Sequence, residues 1–357
     1  MKAKAALVHA GLALGGLAAA YVTWQRPADT RSDDTVVIVE AAKKSIDKIR
    51  YQDTTRWMEL TRKVDPDPVV SVTQGMFEDK VRASVPDAGT VVDAGFITLS
   101  DGGVMARPLP PPPPPPIIVP TRTMKGNDRA EKVFDKFAPL QASRALGKLS
   151  EEKRKELGLV GSERTLTVTV AGQTHSFLVS TPQPGLIGQY LEDSKDQKAY
   201  LLSGTLIGEL DPSSQALIDR KLHLFRQADF DEFEVKYEGA ARGFTQTGAE
   251  IAQTAKVTPK DKPDAPDEMV KNWHERIFNR FIVTEVLGAG ETPRGGEPKV
   301  VLELRYLARG KEKGFLTLAR GQGTEYWAKS ENTLGWVGVH AGVDEVLAEA
   351  KRVATGQ

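Results

Sequence analysis

The chain has 357 residues, 48 basic and 48 acidic side chains, 40% hydrophobic residues, 22 prolines and no cysteine. At roughly 100–200 residues per domain, this length predicts about two domains, each large enough to bury a core. The charge balance excludes the basic excess of a nucleic-acid binder and the acidity of a solvating chain. The absence of cysteine excludes disulfides, thiolate metal sites, cysteine nucleophiles and an acylated lipoprotein N-terminus.

Met1-Lys2-Ala3-Lys4 is followed by Ala5 to Trp24, twenty residues without a formal charge, and then by Arg26-Pro27. As a helix this run spans about 30 Å, the thickness of a bilayer's hydrocarbon core. Ala18-Ala19-Ala20 also fits a signal peptide cut before Tyr21. The run is longer than the usual apolar region of roughly 7–15 residues. Tyr21 and Trp24 also stand where an interfacial aromatic belt would place them. An uncleaved signal-anchor over residues 1–26 is therefore the favoured reading. Lys2, Lys4 and the terminal amine would stay inside, so the expected location is the bacterial inner membrane, single-pass, with the body in the periplasm. Gly11 and Gly15 form a small-xxx-small pair that would let a partner helix approach closely.

Residues 33–62 open the first expected unit. Lys48 to Tyr51 and Trp57 to Leu60, separated by a polar turn, predict a β-hairpin. Residues 63–121 then read as an insertion rich in Asp, Pro, Gly and Val, mostly without regular structure, with a short strand or hairpin near Gly89 to Thr98. Its seven consecutive prolines, Pro110 to Pro116, favour an extended polyproline II rod, and Pro108 to Pro120 would span roughly 40 Å. A spacer or surface excursion is the weightier reading. The other is a ligand for an aromatic-lined groove, with Pro110, Pro113 and Pro116 as the candidate partner contacts.

Residues 122–230 complete the first unit, and 231–357 form the second. In the first, Ala130, Val133, Phe134, Phe137 and Leu140 fall at helical spacing. Leu166, Val168 and Val170 then alternate with threonines, turn at Ala171-Gly172 and return through Phe177 to Val179. A strand at Ala199 to Leu202 and a closing helix from Asp211-Pro212 finish the unit. In the second, Glu234 to Tyr237 and Gly243 to Thr245 repeat the first hairpin. A loop is expected over Ala255 to Asp267, followed by a helix through Val270, Trp273, Ile277 and Phe281. A hairpin over Val300–Tyr306 and Phe315–Leu318, a strand at Glu325 to Ala328 and a helix through Val343 to Ala350 complete it. The order hairpin, helix, hairpin, strand, helix is stated twice. Alternating strands imply antiparallel sheets with one wet face, so the expected class is α+β: two similar units of antiparallel sheet with covering helices, plus the N-terminal transmembrane helix and the proline-rich insertion.

No constellation for catalysis, cofactor or metal emerges, and the sequence does not suggest an enzyme or a small-molecule ligand. The five histidines His9, His175, His223, His274 and His340 show no metal-ligand spacing, and no nucleophile elbow or phosphate loop is present. His223 is expected on a helix. Asp229, Asp231, Glu232 and Glu234 read as a solvated turn, and Lys148 to Glu156 as an exposed helical face. Trp57, Trp273, Trp327 and Trp336 are expected to anchor the cores.

Leu157-Gly158-Leu159, the block Arg164 to Gly172, Tyr200-Leu201-Leu202, the run Leu217 to Tyr237 and Arg56 to Leu60 together resemble the bacterial family DUF4340. Members are typically anchored near the N-terminus and often encoded beside gliding-type ABC transporters. The resemblance implies an envelope-side accessory subunit whose partners are the transporter or other envelope membrane proteins. It carries over no catalytic residue. The competing function is a binding module for an envelope polymer such as polysaccharide or peptidoglycan. The proline-rich insertion departs from the family pattern.

Overall fold

The computed structural model describes residues 35–63, 69–83, 96–98, 104–106, 120–182, 188–202, 204–251 and 254–357. The first half runs β1 (Val36–Val39), β2 (Ile46–Gln52), β3 (Arg56–Lys63), β4 (Val69–Met76), α1 (Glu78–Ala83), β5 (Phe96–Thr98), β6 (Val104–Ala106), β7 (Arg122–Lys125), α2 (Asp128–Lys136), β8 (Leu140–Ala142), β9 (Arg144–Lys148), α3 (Glu151–Glu156), β10 (Arg164–Val170), β11 (Gln173–Val179), β12 (Gln189–Asp193), β13 (Lys198–Leu202) and α4 (Leu206–Glu209). The second half runs β14 (Glu232–Tyr237), β15 (Ala240–Thr247), β16 (Lys256–Pro259), α5 (Glu268–Arg280), β17 (Ile282–Val286), β18 (Lys299–Ala308), β19 (Lys311–Arg320), β20 (Tyr326–Ser330), β21 (Val337–His340) and α6 (Val343–Thr355).

These strands build two large sheets, both antiparallel, so the fold is α+β. The nine-stranded sheet has the order β7-β4-β3-β2-β10-β11-β12-β13-β9, and the eight-stranded sheet β16-β15-β14-β18-β19-β20-β21-β17. From β4 to β9 and from β16 to β17 the two orders coincide strand for strand, with β7 as an additional edge. In each, a helix lies in the chain between the same two edge strands: α2 between β4 and β9, α5 between β16 and β17. The central hairpins turn alike. Ala171-Gly172 and Arg309-Gly310 all have positive φ, the geometry whose twist suits a two-residue hairpin, and glycine takes it without a Cβ penalty.

The alternation that predicts the strands is the alternation of their burial. In β3, Met58 and Leu60 face inward; in β10, Leu166 and Val168; in β18, Leu302, Leu304 and Tyr306. Helix α2 is capped by Asn127, whose side chain accepts from the amides of Arg129 and Ala130, and it buries Ala130, Val133 and Phe134 on the first sheet. Helix α5 is capped in the same way by Asp267 and buries Val270, Trp273, His274 and Ile277. Trp273 Nε1 donates to Val346 O of α6 at 2.8 Å, which locks the two covering helices together. Leu217, Ile218, Leu222, Phe225 and Phe230 of the connector join the two cores into one continuous cluster.

Several expectations are corrected. Val69–Met76, placed in the insertion, is β4 and pairs along its whole length with β3; Val70 and Val72 are buried, and that short alternation outweighs the flanking Asp and Pro residues. Ala199–Leu202 belongs to β13, whose positional counterpart is β21 rather than β20; β12 and β21 both escaped the sequence pattern. The expected loop at Ala255 contains β16, an edge strand that ends at Pro259, where a missing N–H costs no ladder bond. The closing helix from Asp211-Pro212 is absent. Asp211 Oδ1 instead accepts from the amide and hydroxyl of Ser213 at 2.8 and 2.7 Å. Further on, Asn127 N donates to Leu217 O and Asp219 N to Lys125 O, so the backbone of Leu217 and Asp219 bonds to the end of β7 rather than along a helix.

The apolar run Ala5 to Trp24, Gly11 and Gly15 within it, and Pro110, Pro113 and Pro116 lie outside the described residues. Among the described residues no helix is long and apolar enough to cross a membrane.

Candidate functional site

The two sheets meet at their edges. β7 borders the first sheet, β17 borders the second, and Gly288 at the end of β17 lies against the backbone of Thr123. Arg122 on β7 reaches across this seam. Its Nε and Nη2 lie 2.8 and 2.7 Å from Glu291 Oε1, and its Nη1 donates to Glu285 Oε1 at 3.1 Å. Glu291 is itself fixed by the amide of Gly288 at 2.9 Å. A guanidinium engaged by two carboxylates in a partly dry setting is a directional clamp that a lysine could not reproduce.

A second set of contacts fastens the connector to the β20–β21 turn. Lys125 Nζ donates to Asn332 Oδ1. Asn332 Nδ2 donates to Lys221 O and Asp219 Oδ2, at 2.7 and 3.1 Å, and Ser330 Oγ donates to Leu222 O. Asn332 is 4% exposed, so every one of these bonds is made where a lost partner would be costly.

Beside the Arg122 clamp is a cavity of about 190 Å³, whose walls include Arg56, Gln74, Met76, Met124, Pro212 and Val286. Arg56 pairs with Met76, and Gln74 with Arg122, in neighbouring strands, so strands β3, β4 and β7 supply its floor. Gln74 Nε2 donates to Ser214 O at 2.7 Å, which holds the connector over it as a roof. Pockets at such junctions are where ligands and partners settle most often. Its lining combines two guanidiniums, Arg56 and Arg122, with the amides of Gln74 and Gln215 and with thioether and proline surface.

The histidines do not converge on this cavity. His175 is on β11, and His340 ends β21, exposed. His223, expected on a helix, is in the irregular connector, and His274 is wholly buried on α5. Among the described residues no group of three or more His, Asp or Glu could hold a metal ion. The acidic cluster is used locally: Asp229 Oδ2 accepts from Arg226 N at 2.8 Å, the Asp231 carboxylate from Arg309 N at 3.1 Å, and Glu232 pairs with Lys260 at 2.6 Å. Helix α3 buries none of its residues. Trp273, Trp327 and Trp336 are buried, whereas Trp57 is on the outer face of the first sheet. Its ring lies across Gly75, where a Cβ would come within 2.6 Å, and under the Arg50 guanidinium at 4.2 Å. Neither Arg122 nor Asn332 carries a signal in the sequence, because each acts through partners 111 to 207 positions away.

No curated protein and no solved structure matches the chain. Residues 127–287, from the cap of α2 through the connector to the end of β17, match the family model described as Domain of unknown function (DUF4340), the family that the sequence motifs resemble.

Proposed function

We propose that this chain is a non-enzymatic, single-pass protein of the bacterial inner membrane whose body stands in the periplasm as an accessory subunit of a gliding-type ABC transporter or a related envelope assembly. The observation that carries the tether is the run Ala5 to Trp24, long enough to span a bilayer and bracketed by Lys2, Lys4 and an aromatic pair. The link to a transporter rests on the resemblance to DUF4340, whose members are often encoded beside gliding-type ABC transporters; residues 127–287 match that family's model. In this reading, residues 33–62 with 122–230 and residues 231–357 are two similar units, and the coincident strand orders support that duplication. The Arg122 clamp and the Asn332 contacts hold them as one rigid surface against which a partner docks.

The test is crosslinking in intact membranes from photoreactive side chains placed around the seam, combined with the mass of the mature N-terminus. Crosslinks to transporter subunits and an intact Met1 or Lys2 terminus are expected. A terminus at Tyr21 would remove the tether, and a crosslink-free body would remove the partner.

Trp57, half-buried on the outer face of the first sheet with the Arg50 guanidinium stacked over its ring, favours a second reading, an envelope-polymer binding module in which a sugar ring displaces Arg50 from that face. Binding of the full-length chain to isolated peptidoglycan, abolished in Trp57→Ala, would support it. Equal retention of the two proteins would exclude it.

A further inference from the structure

Strand alternation fixes which side chains enter the cavity beside the Arg122 clamp. Trp57 lies on the outer face of β3, against Gly75. Its neighbour Arg56 therefore shares the inner face with the buried Met58. Across the ladder Arg56 pairs with Met76, and two residues back along β4 Gln74 pairs with Arg122. Both guanidiniums thus stand on one face of the sheet, on strands separated by two spacings of about 4.8 Å each. Both line the same space of about 190 Å³.

The two cations are balanced differently. Arg122 is answered by Glu291 at 2.7 Å and by Glu285 at 3.1 Å. Arg56, only half-buried, has no side-chain partner among the described residues. The acids nearest to the lining in the chain are held by other groups. Asp53 Oδ1 accepts from the amides of Thr55 and Arg56 at 2.8 and 2.7 Å, and Asp211 Oδ1 accepts from Ser213. Among the described residues that line the cavity there is no Asp or Glu. One cation is left without a carboxylate in contact.

The remaining polar groups are donors as well. Nε, Nη1 and Nη2 of Arg122 each face a carboxylate, which leaves one N–H on each terminal nitrogen. Gln215 has its carbonyl oxygen engaged by Arg220, so its NH2 group is free to donate. Gln74 gives its own NH2 to Ser214 O. The rest of the lining is apolar, with Met124, Pro212 and Val286 all buried. A space with surplus donors, one unanswered guanidinium and an apolar wall is complementary to a monoanion with an apolar part. The planar fork of Arg56 matches a carboxylate in bidentate fashion. The second charge of a phosphate would have no cation left to answer it, against thioether and proline surface. The volume is below the roughly 300–1,000 Å³ of a drug-sized site, so the apolar part is short.

We propose that this cavity binds a single carboxylate carried on a short aliphatic stem, with Arg56 as its bidentate partner. A free short-chain acid offers that group, and so does the C-terminal residue of a peptide. The inference stands independently of the transporter role.

Calorimetric titration of the full-length chain in detergent micelles tests it at about pH 7, where carboxyl groups are ionised. The probes are butyrate, a tripeptide ending in valine, the same tripeptide amidated at its C-terminus, and inorganic phosphate. Binding of butyrate supports the proposal with a free acid as the source; binding of the free-ended peptide alone supports it with a partner's terminus as the source. Arg56→Met should weaken that binding about ten-fold or more, and Arg56→Lys should weaken it less. In the unsubstituted chain, the bound carboxylate should also shift the Arg56 Nε–H resonance, which is identified by its loss in Arg56→Lys. No binding of either carboxylate overturns the proposal, as does equal binding of the amidated peptide or of phosphate. Unchanged affinity in a folded Arg56→Met variant, or an unmoved Arg56 resonance, overturns it too.

Discussion

Replacing Arg122 is the most informative perturbation of the seam. The guanidinium is 17% exposed and its principal partner Glu291 is 21% exposed, so this pair is only partly screened. A charge-assisted bond of that kind contributes about 1.5–3 kcal/mol. Glu285 is 46% exposed, and its pairing adds only about 0–1 kcal/mol. Arg122→Met keeps most of the alkyl packing against the cavity, so the loss isolates the head group. The assay is a double-mutant cycle with Glu291→Gln, read from urea unfolding of the full-length chain. A coupling energy of about 1.5–3 kcal/mol is expected, together with faster proteolytic cleavage of the connector around Lys221. Coupling below about 0.5 kcal/mol, with no change in cleavage, would refute the idea that this clamp holds the two sheets together.

Glu192 is buried and takes two bonds from Arg154, at 2.8 and 2.9 Å; Arg154→Ala should destabilise the first sheet by about 1.5–3 kcal/mol, measured by thermal unfolding, because the carboxylate loses both charge-assisted bonds. Gly75→Ala should push the Trp57 ring off the sheet, since its Cβ would stand 2.6 Å from that ring; a red-shifted, more quenchable tryptophan emission would report this. Asp267→Ala should cost about 1 kcal/mol by removing the cap of α5. His274 has a folded pKa near 3 against 6.5 for the free side chain, so the unfolded chain binds more protons between these values. Stability should therefore fall as pH drops below about 6.5, by up to about 1.4 kcal/mol per unit from this group. His274→Gln should flatten that part of the profile, and an unchanged slope would argue against a neutral buried ring.

The hairpins and covering helices were legible because their signals are local. Val168 and Leu166 alternate with threonines around a Gly172 turn, and Val270, Trp273 and Ile277 follow one helical face, so short-range periodicity declares them. Strand β12, Gln189-Tyr190-Leu191-Glu192-Asp193, was missed because its buried acid Glu192 breaks the apolar alternation; only the distant Arg154 makes that acid tolerable. Strand β21 is the four-residue Val337-Gly338-Val339-His340, too short to register. The connector misled for a different reason. Asp211-Pro212 has the form of an N-cap followed by proline at the first helical position, but backbone bonds to Lys125 and Asn127 were available only once the first sheet had folded. The seam shares this character, because Arg122, Glu291 and Asn332 have meaning only as partners across the chain.

The most direct test of the tethered accessory role is affinity purification of the full-length chain from native membranes under mild detergent. An ABC transporter permease should co-purify in near-stoichiometric amount, and a variant whose residues 1–26 are replaced by a cleavable signal should lose it. Recovery of the full-length chain as a free monomer, with no transporter subunit in either preparation, would contradict the assignment.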